Sequence, residues 1–305
     1  MALALAPGDT MRAHRLYGPS PEEPEPLRPV PDLKGTPVVD VEGHSAGTVH
    51  GSLAEERSGL IRYLDVALDE DNRHVLVPLG HVRLERERGR PLLHLLGATR
   101  EELRRIPPYD GEQRVDESYG RRIARAYGKL FHGERYYAHP AYDHRGLYAG
   151  EHPIIRGPAI PHHRAPLRPL STLPDVEIAE GEPDIRRWPL HAGGRRVGTI
   201  DDLVVDPVAG KVRYAIVGIE KEGRQVLVPV GYLRVRAEER IVEAPALVEE
   251  DLRALPTYTS PEPIPRKLEQ RVRITLDERL DRDGRHFRRP DYEPGGARWD
   301  GRLEG

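Results

Sequence analysis

A chain of 305 residues is long enough for two domains of ordinary size, and its 37% hydrophobic content suits two small cores better than one large one. Its 47 basic and 50 acidic residues nearly cancel, to a formal net charge of -3, which argues against the broad positive surface that drives nucleic-acid binding. The absence of cysteine excludes disulfides, thiolate nucleophiles, iron–sulfur clusters and Cys-ligated zinc, and a cytoplasmic location is expected.

The N-terminus, MALALA before Pro7 and Gly8, is too short an apolar run for a signal sequence or a membrane span, and no later segment reaches 18 apolar residues. Residues 1–34 read as an extended, Pro-rich arm. From residue 35 the pattern changes to short β-branched or Leu-rich runs bounded by Gly, Pro, Asp or Asn, such as Ile61–Leu68, Val75–Val77 and Val82–Leu84. Pro78 marks a strand end, because proline has no N–H for a ladder, and Gly80 supplies the turn that follows. Thr99 with Glu102 forms a capping box for a short helix that Pro107-Pro108 stops. Asp116 to about Leu130 places Tyr119, Ile123, Tyr127 and Leu130 on one helical face, and predicts an amphipathic helix on the first domain.

The same text then returns. HVLVPLGHVRL at 74–84 is echoed by QVLVPVGYLRV at 225–235, and Gly47, Ile61 and Val75 match Gly198, Val212 and Val226, each 151 positions on. Leu103 and Tyr109 match Leu252 and Tyr258 at a separation of 149. Two copies are too few for a solenoid, so one small domain has been duplicated. Five or six short strands per copy suggest a small barrel. The expected fold is therefore mainly β: two small β-barrels (35–110 and 175–258), each with a short C-terminal helix, joined and flanked by extended Pro-rich segments. The helix and a Pro/His-rich connector occupy 111–174, and an extended tail 259–305.

Catalytic signatures are missing: the chain has no P-loop, no GxSxG, no GxGxxG after a strand and no HExxH. Six histidines between His132 and His163 lack regular ligand spacing and read as exposed or partner-contacting rather than metal-binding. Asp281-Arg282-Asp283-Gly284 starts like a calcium loop without its bidentate glutamate, and reads as a turn. Asp201, Asp202 and Asp206 suit strand ends and turns, and Arg62 and Arg213 suit structural ion pairs. No catalytic, cofactor or metal residue is assigned. Tyr17, Tyr136, Tyr137, His139, Phe287, Tyr292 and Trp299, aromatic residues in the arms, are candidate partner contacts.

The run Arg196-Val197-Gly198 through Asp206, with Lys211–Tyr214 and Val226–Pro229, resembles the PRC-barrel, and the first copy keeps GTV, GLIRY and VLVP. This module occurs in the cytoplasmic domain of the photosynthetic reaction-centre H subunit, in ribosome-maturation factors and in small bacterial stress proteins. Ile106-Pro107-Pro108-Tyr109 and Gly133-Glu134-Arg135-Tyr136-Tyr137-Ala138-His139-Pro140 are similar to the H subunit in particular. That resemblance implies a non-catalytic subunit capping the cytoplasmic face of the L and M subunits, stabilising the complex and supporting proton delivery to the secondary quinone. Pigments and quinones would be held by those partners, and the chain would be peripheral on the inner membrane. The H subunit's transmembrane helix has no counterpart, so a separate anchor chain or light-harvesting subunits would complete the assembly. The family's proton-uptake glutamate aligns with Ala209 and Ser58, leaving Glu55 and Glu56 as the nearest candidate relays. The alternatives are a soluble PRC-barrel stress-response or adaptor protein, a ribosome-maturation factor, and a hydrolase or metal enzyme using His162 and His163.

Overall fold

A computed structural model describes residues 33–55, 60–111, 115–148, 155–156, 166–259, 263–283 and 285–293. They form two compact units, one ending at Leu130 and the other beginning at Phe131.

The first unit is a six-stranded sheet of β1 (Pro37–Val39), β2 (Ser45–Ala54), β3 (Ile61–Leu68), β4 (His74–Pro78), β5 (Val82–Glu87) and β6 (Arg90–Leu95), in the spatial order β4-β3-β2-β1-β6-β5. All neighbours are antiparallel except β1 and β6. The outermost strands β4 and β5 are joined by a single 3-10 turn, Leu79–His81. Laid flat, five interstrand steps would hold these edges about 24 Å apart, whereas the linking residues reach at most about 14 Å. The sheet is therefore rolled. No ladder joins β4 to β5, so the expected barrel is an open roll rather than a closed cylinder.

After the sheet, α1 (Arg100–Leu103) carries the predicted capping box: Thr99 N–H donates to Glu102 Oε2 at 2.9 Å, and Glu102 N–H donates to Thr99 Oγ1 at 3.3 Å. Then α2 (Glu117–Gly128) starts where the Asp116 carboxylate accepts from Tyr119 N–H, and it buries Tyr119, Ile123 and Tyr127.

The second unit repeats the roll. Its sheet runs β14 (Arg234–Arg236), β15 (Ile241–Ala244), β10 (Pro189–Ala192), β11 (Arg195–Asp206), β12 (Lys211–Ile219), β13 (Gln225–Pro229) and β16 (Thr257–Tyr258) in spatial order. β8 (Arg168–Pro169) lies alongside β11, and β7 (Ile155–Arg156) pairs with β9 (Glu177–Ile178). The turn Val230–Tyr232 links the distant strands β13 and β14 as Leu79–His81 does in the first copy. Gly47 and Gly198 are equivalent and both obligatory: a Cβ would collide with the Ala67 and Gly218 carbonyls respectively. Helix α3 (Glu249–Ala254) keeps half a capping box, with Val248 N–H donating to Asp251 while Val248 offers no acceptor.

Two expectations need correction. The connector is not uniformly extended, because residues 133–146 form three 3-10 turns, Gly133–Ala138, Pro140–Tyr142 and His144–Gly146, packed into the second unit. Local capping holds them: His139 Nδ1 accepts from Ala141 N–H, and Asp143 accepts from the Arg145 backbone and guanidinium. The tail is not extended either. Residues Arg266–Arg282 form a 17-residue helix, α4, whose buried stripe is Glu269, Val272, Leu276 and Leu280. Arg279 and Arg285 both bond the fully buried Asp251, tying α4 and the chain after it to α3. Burial alone would raise the Asp251 carboxyl, but these guanidiniums and the Val248 N–H hold it below its usual range.

The cores are dense: Leu76 and Leu227, equivalent in the repeat, are both wholly buried. Leu76→Ala and Leu227→Ala should each cost about 2–5 kcal/mol. Urea unfolding followed by tryptophan fluorescence and circular dichroism measures this, and a loss below 1 kcal/mol at either site would contradict the shared packing.

Candidate functional site

The first repeated polar feature lies at the base of a hairpin. Arg62 Nη2 bonds Glu55 Oε2 at 2.8 Å, and Arg213 Nη2 bonds Asp206 Oδ2 at 2.9 Å, each pair again 151 positions from its counterpart. The four side chains are only 6–16% exposed. The expected structural ion pairs are thus present in both copies. Glu55 occupies the place of Asp206, and its carboxylate is committed to Arg62, which disfavours the proton-relay role considered for it. Glu56 lies outside the described residues. Glu55→Gln strips the charge partner from a buried guanidinium and should lower stability by about 3–5 kcal/mol. A loss under 1 kcal/mol in urea unfolding would leave Glu55 free for other work.

The second repeated feature is a sheet face. In β2 and β11, bulges open between Val49 and Gly51 and between Ile200 and Asp202. The extra residues, His50 and Asp201, are equivalent in the repeat. A bulge re-aims a side chain, and bulges gather beside functional sites. In the first unit, His50 meets His74 edge-on with ring centroids 4.8 Å apart, and His74 Nδ1 lies 2.8 Å from Asp65 Oδ1. Tyr109 completes this face near Asp65; burial, with Asp65 and Asp110 adding, pushes its phenol up to about 12. The second unit places Asp201, Gln225, Ile216 and Tyr258 at the same positions, with Gln225 Nε2 donating to Asp201 Oδ2 at 2.7 Å.

In the second unit this face is the floor of a cleft of about 710 Å³ that is also lined by Ser171, Thr172, Asp184, Arg186 and Arg187. The Ser171 hydroxyl donates to Asp202 at 2.5 Å, and Asp184 takes both arms of Arg186. Arg187 holds a left-handed backbone, φ 69°, a conformation costly for a residue with a side chain. These pairings suit a polar binding surface, in which the Ser171 hydroxyl is a hydrogen-bond donor to a carboxylate. Asp201 and Asp202, expected in turn and strand-end roles, lie within β11 and are spent in this network.

A third constellation was not foreseen. Glu269 Oε2 accepts from the Tyr137 hydroxyl at 2.6 Å and from the Tyr214 hydroxyl at 3.0 Å. The Tyr142 hydroxyl lies 3.3 Å from that of Tyr214, which has one proton and accepts here, and 2.8 Å from that of Tyr136. Arg266 lies 3.6 Å from Glu269 and covers the rings of Tyr136 and Tyr137. Burial pushes the Glu269 carboxyl up, and the hydroxyls and Arg266 offset this only in part. The native value thus lies above that of an unfolded glutamate, about 4.3. Glu269 then costs stability at a pH above both values, and the cost vanishes below them. Wild-type stability relative to Glu269→Gln should fall as pH rises from about 4 through the raised native value. Urea unfolding across that range tests it; a flat difference would contradict a raised Glu269.

The candidate partner contacts therefore divide. Tyr136, His139, Phe287 and Tyr292 are buried within the second unit, and Tyr137 is half-buried there. Tyr136 and Tyr137 pack on each other and against the core around Tyr142, and Phe287 packs on Tyr292. His139 and His144, read as exposed or partner-contacting, are both buried. Tyr17, Trp299, His162 and His163 lie outside the described residues. Asp40, Glu42 and His44 cluster closely enough for an ion, but Asp40 already accepts from the backbone N–H groups of Glu42, His44 and Arg100.

Segments 27–89 and 190–250 each match the family model of the PRC-barrel domain.

Proposed function

Because the chain carries two PRC-barrel domains in tandem, we propose that it is a non-catalytic structural subunit, resembling the soluble part of the reaction-centre H subunit. In this reading it caps the cytoplasmic face of the L and M subunits, stabilises the complex and supports proton delivery to the secondary quinone. The tandem domain is the observation that carries the reading; the segments around Tyr109 and Gly133–Pro140 incline it toward the H subunit. No helix among the described residues is long and apolar enough to cross a membrane, which suits a peripheral chain held by its partners or by a separate anchor. Pigments and quinones remain with those partners. The charged groups identified so far are spent on structure, which favours binding over catalysis.

One observation favours a second reading, a soluble PRC-barrel adaptor or stress-response protein. The described residues of 133–148, 263–283 and 285–293 pack within the chain's own second unit.

A tagged copy of the chain recovered from photosynthetic membranes separates the two. The H-like reading expects the L and M subunits and bacteriochlorophyll absorbance to co-purify. Recovery of the chain free of both, from the soluble fraction alone, would sink it in favour of the adaptor.

A further inference from the structure

The face around the first bulge brings two imidazoles together beside a buried carboxylate, the donor types of a metal site. His50 projects from the bulge in β2 and His74 from β4, so two strands on either side of β3 bring their rings together over Asp65. An ionised carboxylate only accepts, so His74 donates Nδ1–H to Asp65 and presents the Nε2 lone pair. A carboxylate that fixes the tautomer and orientation of an imidazole is the usual outer partner of a metal-bound histidine. Two imidazoles on one tetrahedral ion, with metal–nitrogen bonds of about 2.0–2.1 Å, have ring centroids roughly 5 Å apart. The rings of His50 and His74 are 4.8 Å apart and inclined at 80°. His50 is exposed and His74 half-buried, so an ion can arrive without the sheet opening.

The second unit is an internal comparison. Its fold, bulge and register are the same, but Asp201, Ile216 and Gln225 replace His50, Asp65 and His74. The backbone therefore does not require this trio, and the first copy has it for another reason.

We propose that His50 and His74 bind a divalent transition-metal ion of the zinc class, with Asp65 as positioning residue. Nitrogen donors select such ions over calcium or magnesium, which take oxygen ligands. Two protein ligands leave coordination positions for water or for a donor from a partner.

Titration of the full chain with Zn²⁺ by isothermal calorimetry tests the proposal. Wild type should show a site that His50→Ala and His74→Gln each abolish, while His44→Ala and the double variant His162→Ala/His163→Ala retain it. Asp65→Asn should weaken it by roughly 10- to 100-fold. Asp65→Glu, which keeps a carboxylate to accept from His74 Nδ1–H, should recover part of the affinity that Asp65→Asn loses, a rescue that a merely structural role for Asp65 would not predict. Since His50 is exposed, His50→Ala keeps the test valid should a His74 variant fail to fold. The proposal is overturned by a wild type without a Zn²⁺ site, by unchanged affinity in His50→Ala, or by a site lost only in the His44 or His162/His163 variants.

Discussion

Each unit depends on one short link. A three-residue 3-10 turn, Leu79–His81 in one copy and Val230–Tyr232 in the other, joins strands at or next to opposite ends of the sheet path. A flat sheet cannot satisfy that link, so the sheet must roll, and rolling gives it a closed-in core and an outer face. Leu64, Val66 and Val75 share one face and are wholly buried, as are their counterparts Ala215, Val217 and Val226. The hairpin ion pairs Glu55–Arg62 and Asp206–Arg213 secure the same corner of each roll. Gly47 and Gly198 allow the close strand approach that the curvature needs.

With the interior apolar in both copies, the polar differences between them lie in what surrounds the roll. One outer face carries His50, Asp65 and His74, and its counterpart carries Asp201, Ile216 and Gln225. The first copy is followed by the amphipathic helix α2; the second is flanked by the 3-10 turns from Gly133 to Gly146 and by α4. Those flanks are anchored by buried charge. Asp251 holds Arg279 and Arg285, and Arg289 bonds Asp277 and Asp291. Desolvating such groups is expensive unless every partner is in place, which ties the flanks to one arrangement.

The strands, the turn after Pro78, the capping box at Thr99 and the helix from Glu117 were legible in the sequence because local rules govern them: alternation, proline and glycine punctuation, and side-chain caps. The ion pairs of Arg62 and Arg213 were legible through the repeat. Helix α4 was hidden because its buried stripe holds only three apolar residues and a glutamate, so its apolar periodicity is faint. The turns from Gly133 to Gly146 were hidden because capping by His139 and Asp143, rather than periodicity, defines them. The Glu269 cluster joins residues as distant in sequence as Tyr137 and Glu269, a proximity no local pattern encodes. His50 could have been found by aligning the copies, since it faces Asp201 across the repeat, but the bulge that gives it meaning is a property of the sheet register.

The proposed role of the duplicated roll is association through its outer faces and flanks. Chemical cross-linking of intact photosynthetic membranes, with the linked peptides read by mass spectrometry, tests this most directly. Links from both units of this chain to the L and M subunits are expected. Links confined to the chain itself, in membranes where L and M are linked to each other, would contradict it.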